Sequence, residues 1–162
     1  MENIATPLRH PARYPMLLLL LFCSSFLFHL LPVWNLPFSS RGESREAVVV
    51  LNMFQQNDFI LPLRNGIDIP SKPPLFHWIA SGFSLLSGNV SEGSIRAASA
   101  FCASLIVTMF AALALCEMGI VAAFTVFLLT TTGIDWIRYS SLARVDMVFA
   151  LGVNITLLAI LC

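Results

Sequence analysis

The sequence predicts an all-α integral membrane protein, with about four transmembrane helices framing a large external first loop that contains juxtamembrane helices and a small β-hairpin. Three observations lead there. Of the 162 residues, 57% are hydrophobic and only 11% charged, with thirteen Phe, whereas soluble domains carry roughly 25% charged residues. The apolar residues fall in long runs without formal charge. Residues 41–78, RGESREAVVVLNMFQQNDFILPLRNGIDIPSKPPLFHW, hold eight of the chain's eighteen Asp, Glu, Lys and Arg residues, so the polar chemistry is gathered in one stretch.

Composition excludes several classes. Nine basic residues balance nine acidic ones, so no basic field exists to gather nucleic acid. Cys23, Cys102, Cys116 and Cys162 lie in apolar runs without CxxC spacing, which argues against a disulfide framework and against zinc. No carboxylate and histidine set has metal spacing, and no metal or cofactor is expected.

Arg9, His10 and Arg13 form a basic flank of the kind found on the cytoplasmic side of a first span. Residues 15–34 carry no formal charge and match the length that crosses ~30 Å of hydrocarbon. A cleaved signal peptide is the competing reading, but Pro32, Val33 and Trp34 stand where a small-residue cleavage site belongs. Trp34 suits an interfacial anchor. The external loop then runs over residues 38–93.

Within the loop, Glu43, Glu46 or Ala47, Val50 and Phe54 recur at spacings of three and four and predict a helix to Asn57. Acids in a first turn are ordinary helix-start residues, favoured by the helix dipole. Asn65-Gly66 between short apolar alternations predicts a hairpin, which Pro62 and Pro70 restrict to a small ribbon. Lys72-Pro73-Pro74 opens a helix of roughly 14 residues ending near Gly88, too short to span and suited to the interface. Lys72 is thereby set at the membrane surface, as a phosphate contact or as a snorkelling lysine.

Further spans are predicted over 94–116, 118–132 and 146–162, with a turn at Glu117 and Gly119. The polar segment from Gly133 to Asp146 separates the last two. Counting spans puts it on the same side of the bilayer as the Arg41 loop. The basic N-terminal flank places that side outside and the N-terminus in the cytoplasm.

Taken together, Glu43-Ser44-Arg45-Glu46-Ala47, Asn65-Gly66, Lys72-Pro73-Pro74-Leu75-Phe76-His77-Trp78, Arg96 and Leu142-Ala143-Arg144-Val145-Asp146 resemble the start of a polyprenyl-phosphate-dependent, GT-C type glycosyltransferase, in the superfamily of lipid A aminoarabinose transferases and protein mannosyltransferases. The likeness covers nearly the whole chain from Trp34, in matching order. It implies a multi-pass inner (plasma) membrane enzyme that takes a sugar from a polyprenyl-phosphate carrier and passes it to an extracytoplasmic acceptor such as lipid A, protein or another glycan. It also implies many more spans, so the expectation is the N-terminal membrane region of a longer protein. The family's first loop usually opens with adjacent Asp and Glu; here Gly42 stands in the aspartate place and Glu43 in the glutamate place.

Such a transfer needs a base for the acceptor and a cation for the departing phosphate. The expected roles are Glu43 as base and Asp146 as a second acid, with Lys72 on the lipid phosphate and Arg45 and Arg144 as helpers. Asp146 pairing with Arg144 or Arg138 is the plainer reading of that residue. His77 is read as an interfacial aromatic. A noncatalytic lipid-binding or assembly module is the alternative, and a transporter ranks third because no pair of broken helices suggests one. The central expectation is spatial: Glu43 and Lys72 converge over the head-group plane.

Overall fold

A computed structural model describes residues 14–70 and 72–161. The basic flank at Arg9, His10 and Arg13 lies outside the described residues, as does Cys162. The described residues form seven α-helices and no strand: α1 (Pro15–Leu30, continued by a 3-10 turn, Leu31–Val33), α2 (Arg41–Gln56), α3 (Leu75–Ser87), α4 (Glu92–Glu117), α5 (Ile120–Thr131), α6 (Ile134–Ser140) and α7 (Asp146–Leu161).

Local chemistry explains where these helices begin and end. Pro15 opens α1, where its missing N–H costs nothing. Ser40 caps α2 by accepting from the Glu43 amide, and Asn57 closes it in the left-handed conformation at φ 51°. Gly88, at φ 77°, ends α3. Ser91 and Ser94 exchange reciprocal hydrogen bonds at the start of α4.

α4 is the central mast. Both α1 and α3 pack along it, α5 folds back against it, and α7 lies on a further side. Small residues make this close approach feasible: Ala97, Ala98, Ala100, Ala103 and Ala111 are all fully buried. At Gly93 an added Cβ would stand 2.5 Å from the Trp34 ring and 2.6 Å from its carbonyl oxygen. That glycine lets the linker after α1 lie flat on the first turn of α4. The main core joins Val50 of α2, Phe76 and Ala80 of α3, Ile95, Ala98 and Cys102 of α4, and Met147 of α7.

Two expectations are corrected. Residues 15–33 and α4 are long and apolar enough to cross a membrane, with 19 and 26 residues. The predicted span 118–132 is instead α5, which has 12 residues and bends by 66° into α6, so the two together make at most one broken span. The predicted span 146–162 is α7, whose 16 residues rise only roughly 24 Å at 1.5 Å each. The chain therefore has two such helices among the described residues, or three with the bent pair, rather than four.

The predicted β-hairpin reduces to a turn. Asn65 and Gly66 take the positive φ values expected of them, 54° and 72°, and Arg64 and Asp68 exchange both backbone hydrogen bonds at 2.7 and 3.0 Å. The next pair that would hydrogen-bond is Pro62 with Pro70. Neither has an N–H, so the ladder stops after one bridge.

Candidate functional site: a lysine between two cavities

Helix α2 carries both acids of its first half on the face turned into the protein. Glu43 is 0% and Glu46 4% exposed, and each is satisfied in its own way. Glu43 accepts from Arg96 Nε at 2.9 Å and the Ala143 amide at 3.1 Å on one oxygen. Its other oxygen accepts from the amide and hydroxyl of Ser39 at 3.0 and 3.1 Å. Arg96 directs three further N–H groups to the carbonyls of Val33, Leu36 and Pro37 and packs on the Phe38 ring. Burial pushes the Glu43 carboxyl up, but the Arg96 and backbone hydrogen bonds outweigh it and leave the pKa below 4.5. All its lone-pair positions are filled, so Glu43 is a tie between α2, α4, the linker after α1 and the segment before α7.

Glu46 sits one turn on. One of its oxygens receives Lys72 Nζ at 3.2 Å and the other lies 2.9 Å from His77 Nε2. Burial pushes its pKa up as well; His77 and Lys72 more than offset that, and the net shift is downward. With Glu46 ionised, His77 Nε2 is the protonated nitrogen and donates. His77 Nδ1 is buried and has no hydrogen-bond partner among the described residues.

The expected convergence of Glu43 and Lys72 is therefore corrected: Lys72 faces Glu46, and Glu43 lines none of the cavities found around Lys72. His77 is corrected too, since it is fully buried and bonded to Glu46. The sequence held a signal for this, because Glu43 and Glu46 fall in phase with Val50 on the apolar stripe of α2. An acid in that register is buried and needs partners.

Lys72, one-third exposed, separates two cavities. On one side is an apolar cleft of about 740 Å³ between the start of α3 and the face of α7, walled by Leu75, Phe76, Phe149, Val153 and Leu157, with Asp146 also at its edge. On the other is a polar pocket of about 210 Å³ lined by Arg45, Glu46, Arg64 and Lys72. The structure thus brings Lys72 together with Arg45 in one cavity and with Asp146 in the other.

Arg144 and Asp146 meet as well, Nε to Oδ2 at 3.2 Å, both about two-fifths exposed. Their contact is ionic without hydrogen-bond alignment, since Asp146 Oδ2 is buried and lacks a hydrogen-bond partner. A Cβ at Gly42 would lie 3.7 Å from Arg144 Nε. The two polar segments of the sequence do meet, through the Ala143 amide on Glu43 and Ser99 Oγ on the Arg144 carbonyl at 2.9 Å.

No family model matches the sequence, and no solved structure matches the chain. The chain is similar to an uncharacterized protein of Aquifex aeolicus (strain VF5), 35% identical over 79 residues, which are 49% of this chain and 19% of that protein. It thus spans well under two-thirds of that relative's length.

Proposed function

We propose that this chain holds a polyprenyl-phosphate-linked sugar at a membrane surface and takes part in transferring the sugar to an acceptor outside the cytoplasm. The observation that supports this is the position of Lys72. An ammonium at the mouth of an apolar cleft of about 740 Å³ matches an amphiphile with a long hydrocarbon chain and an anionic head. The chain of the lipid lies along Phe149, Val153 and Leu157 and its phosphate meets Lys72, with Arg45 across the polar pocket. The resemblance to GT-C glycosyltransferases in the Lys72-Pro73-Pro74 stretch supports the same reading. The membrane is the inner (plasma) membrane, with the N-terminus cytoplasmic and residues 38–93 outside.

In the transfer step the acceptor's oxygen or nitrogen bonds to the anomeric carbon of the sugar while the bond from that carbon to the phosphate oxygen breaks. The bonding electrons leave on the lipid phosphate, where Lys72 stabilises the charge. The acceptor's proton passes to a carboxylate. Asp146 is the acid suited to that role, because it borders the cleft with 41% of its side chain exposed. Glu43, saturated and sealed, positions the segment that carries Asp146 rather than taking the proton itself.

The test is binding of a polyprenyl phosphate in nanodiscs, with sugar transfer from the glycosylated lipid measured in parallel. Lys72→Ala weakens binding about tenfold or more, the loss of one charge-assisted contact. Asp146→Asn binds as the parent does and stops transfer. Binding indifferent to Lys72→Ala sinks the reading. The sealing of Glu43 favours a second reading, a noncatalytic lipid-binding module, and Lys72-dependent binding without any turnover by the parent chain selects it.

A further inference from the structure

A third cavity adjoins the cleft through Asp146. It measures about 480 Å³ and is lined by Asp135, Trp136 and Tyr139 of α6, by Arg144, and by Asp146 and Met147 at the start of α7. Asp146 is shared with the apolar cleft. A group attached to a phosphate held by Lys72 at the cleft's mouth therefore has this cavity beside it.

The lining has a definite chemistry. Two aromatic side chains offer flat faces to C–H groups. Two carboxylates and one guanidinium offer acceptors and donors for hydroxyls. Two acids against one arginine already paired with Asp146 make the lining unfavourable to a further anion. Arg138, whose guanidinium carbon lies 5.9 Å from the Tyr139 ring centre, lines the neighbouring cavity with Pro32 and Leu36 instead.

Asp135 and Tyr139 are exposed in the cavity wall, and a ring bearing several hydroxyls, each both donor and acceptor, complements a carboxylate and a phenol. The cavity is also within the size range of small-molecule sites.

We propose that the cavity formed by Asp135, Trp136, Tyr139 and Asp146 binds an uncharged sugar ring, the one carried by the phosphate lipid whose chain occupies the adjoining cleft. The assignment rests on the lipid-phosphate reading above. It goes further by naming the sugar subsite and excluding acidic sugars from it. Asp135 and Tyr139 are specificity-determining residues in this arrangement, since both are exposed in the cavity wall and neither is a tie in the core.

The experiment compares bare polyprenyl phosphate with polyprenyl phosphate bearing a neutral hexose, each titrated into nanodiscs holding the full chain. The parent chain is expected to prefer the hexosylated lipid by about tenfold. Tyr139→Ala and Asp135→Asn each erase that preference and leave the affinity for the bare lipid within about twofold, the pattern of a lost sugar contact rather than a lost fold. A parent without preference, or a preference that survives both substitutions, overturns the assignment. A lipid bearing a hexuronic acid in place of the hexose, bound as tightly by the parent, also overturns it. A second arm separates failure of the subsite from failure of the lipid reading. A methyl hexopyranoside alone is titrated into a Trp34→Phe, Trp78→Phe chain, whose remaining indole is Trp136. Saturable fluorescence change that Asp135→Asn abolishes supports the subsite even where bare lipid phosphate fails to bind. No response there, with no lipid preference, overturns it.

Discussion

Glu43 and Glu46 lie one turn apart on the same face of one helix, are equally hidden from water, and have different surroundings. Around Glu43 stand four donors from three separate stretches of chain, and every lone pair is used. Around Glu46 stand a fully buried histidine and a lysine that lines two open cavities. The lysine keeps a third of its surface in solvent. The first arrangement fixes backbone segments and excludes ligands. The second holds an ammonium where a ligand can reach it. Burial and charge are alike in the two acids; what separates the two regions is whether a partner is reachable from solvent.

The largest effects are expected where the first region is broken. Arg96→Met leaves Glu43 a buried carboxylate without its cation, and removing one partner of a buried pair costs about 3–5 kcal/mol. Thermal unfolding in detergent is expected to show that loss, and a change under ~1 kcal/mol would mean that the knot is ornamental. Next is Gly93→Ala, whose Cβ would collide with Trp34 beside the carbonyls that Arg96 holds. Crowding of this kind costs about 1–3 kcal/mol, read in the same assay.

Acid titration acts on both regions. Glu43 and Glu46 have pKa values lowered in the fold relative to 4.5. The unfolded chain then binds more protons than the folded one, and these acids contribute stability that is complete above about 4.5 and lost as the pH falls through the folded values. Glu46→Gln is expected to flatten part of that acid-side loss and to leave the remainder, which belongs to Glu43. An unchanged acid limb in that variant would remove Glu46 from the account.

The smallest stability changes belong to the second region and its neighbour. Lys72→Ala is expected to cost under about 1 kcal/mol, as for partly exposed ion pairs, while weakening lipid-phosphate binding. Gly42→Asp places an acid in the first turn of α2 beside Arg144, a change expected to stabilise by about 0.3–1 kcal/mol through the helix dipole. It also returns the aspartate that the glycosyltransferase resemblance leads one to expect there. Faster transfer in this variant, with unchanged lipid binding, would sharpen the distinction between a locked glutamate and a working carboxylate.

Much of the fold is legible in the sequence. The helix starts at Pro15 and within the loop, the short helix after Lys72-Pro73-Pro74, and the positive-φ turn at Asn65-Gly66 all follow from residues within four positions of one another. The hairpin failed for a local reason that was also visible, since Pro62 and Pro70 occupy the pairing positions on either side of the turn. The span count failed because an apolar run does not fix how long its helix is: α5 has 12 residues before the chain turns by 66° into α6, and α7 has 16. Of the residues singled out in the sequence, Lys72 shares a cavity with Arg45 and another with Asp146, Arg144 meets Asp146, and Glu43 lies apart from them, whereas the partnership of Glu46 with His77 was not read from the sequence.

What the sequence determined by itself is the apolar runs long enough to cross a membrane, the helical content and the gathering of polar residues into two segments, because these depend on composition and on neighbours along the chain. Which acid is locked and which is left beside a cavity was decided only by tertiary contacts. Besides Ser39, four residues away, the partners of Glu43 are 53 and 100 residues away, and those of Glu46 are 26 and 31 residues away. A carboxylate's desolvation and the filling of its lone pairs are set by groups that meet only when the chain has folded, so two acids three positions apart in one helix read alike until it does.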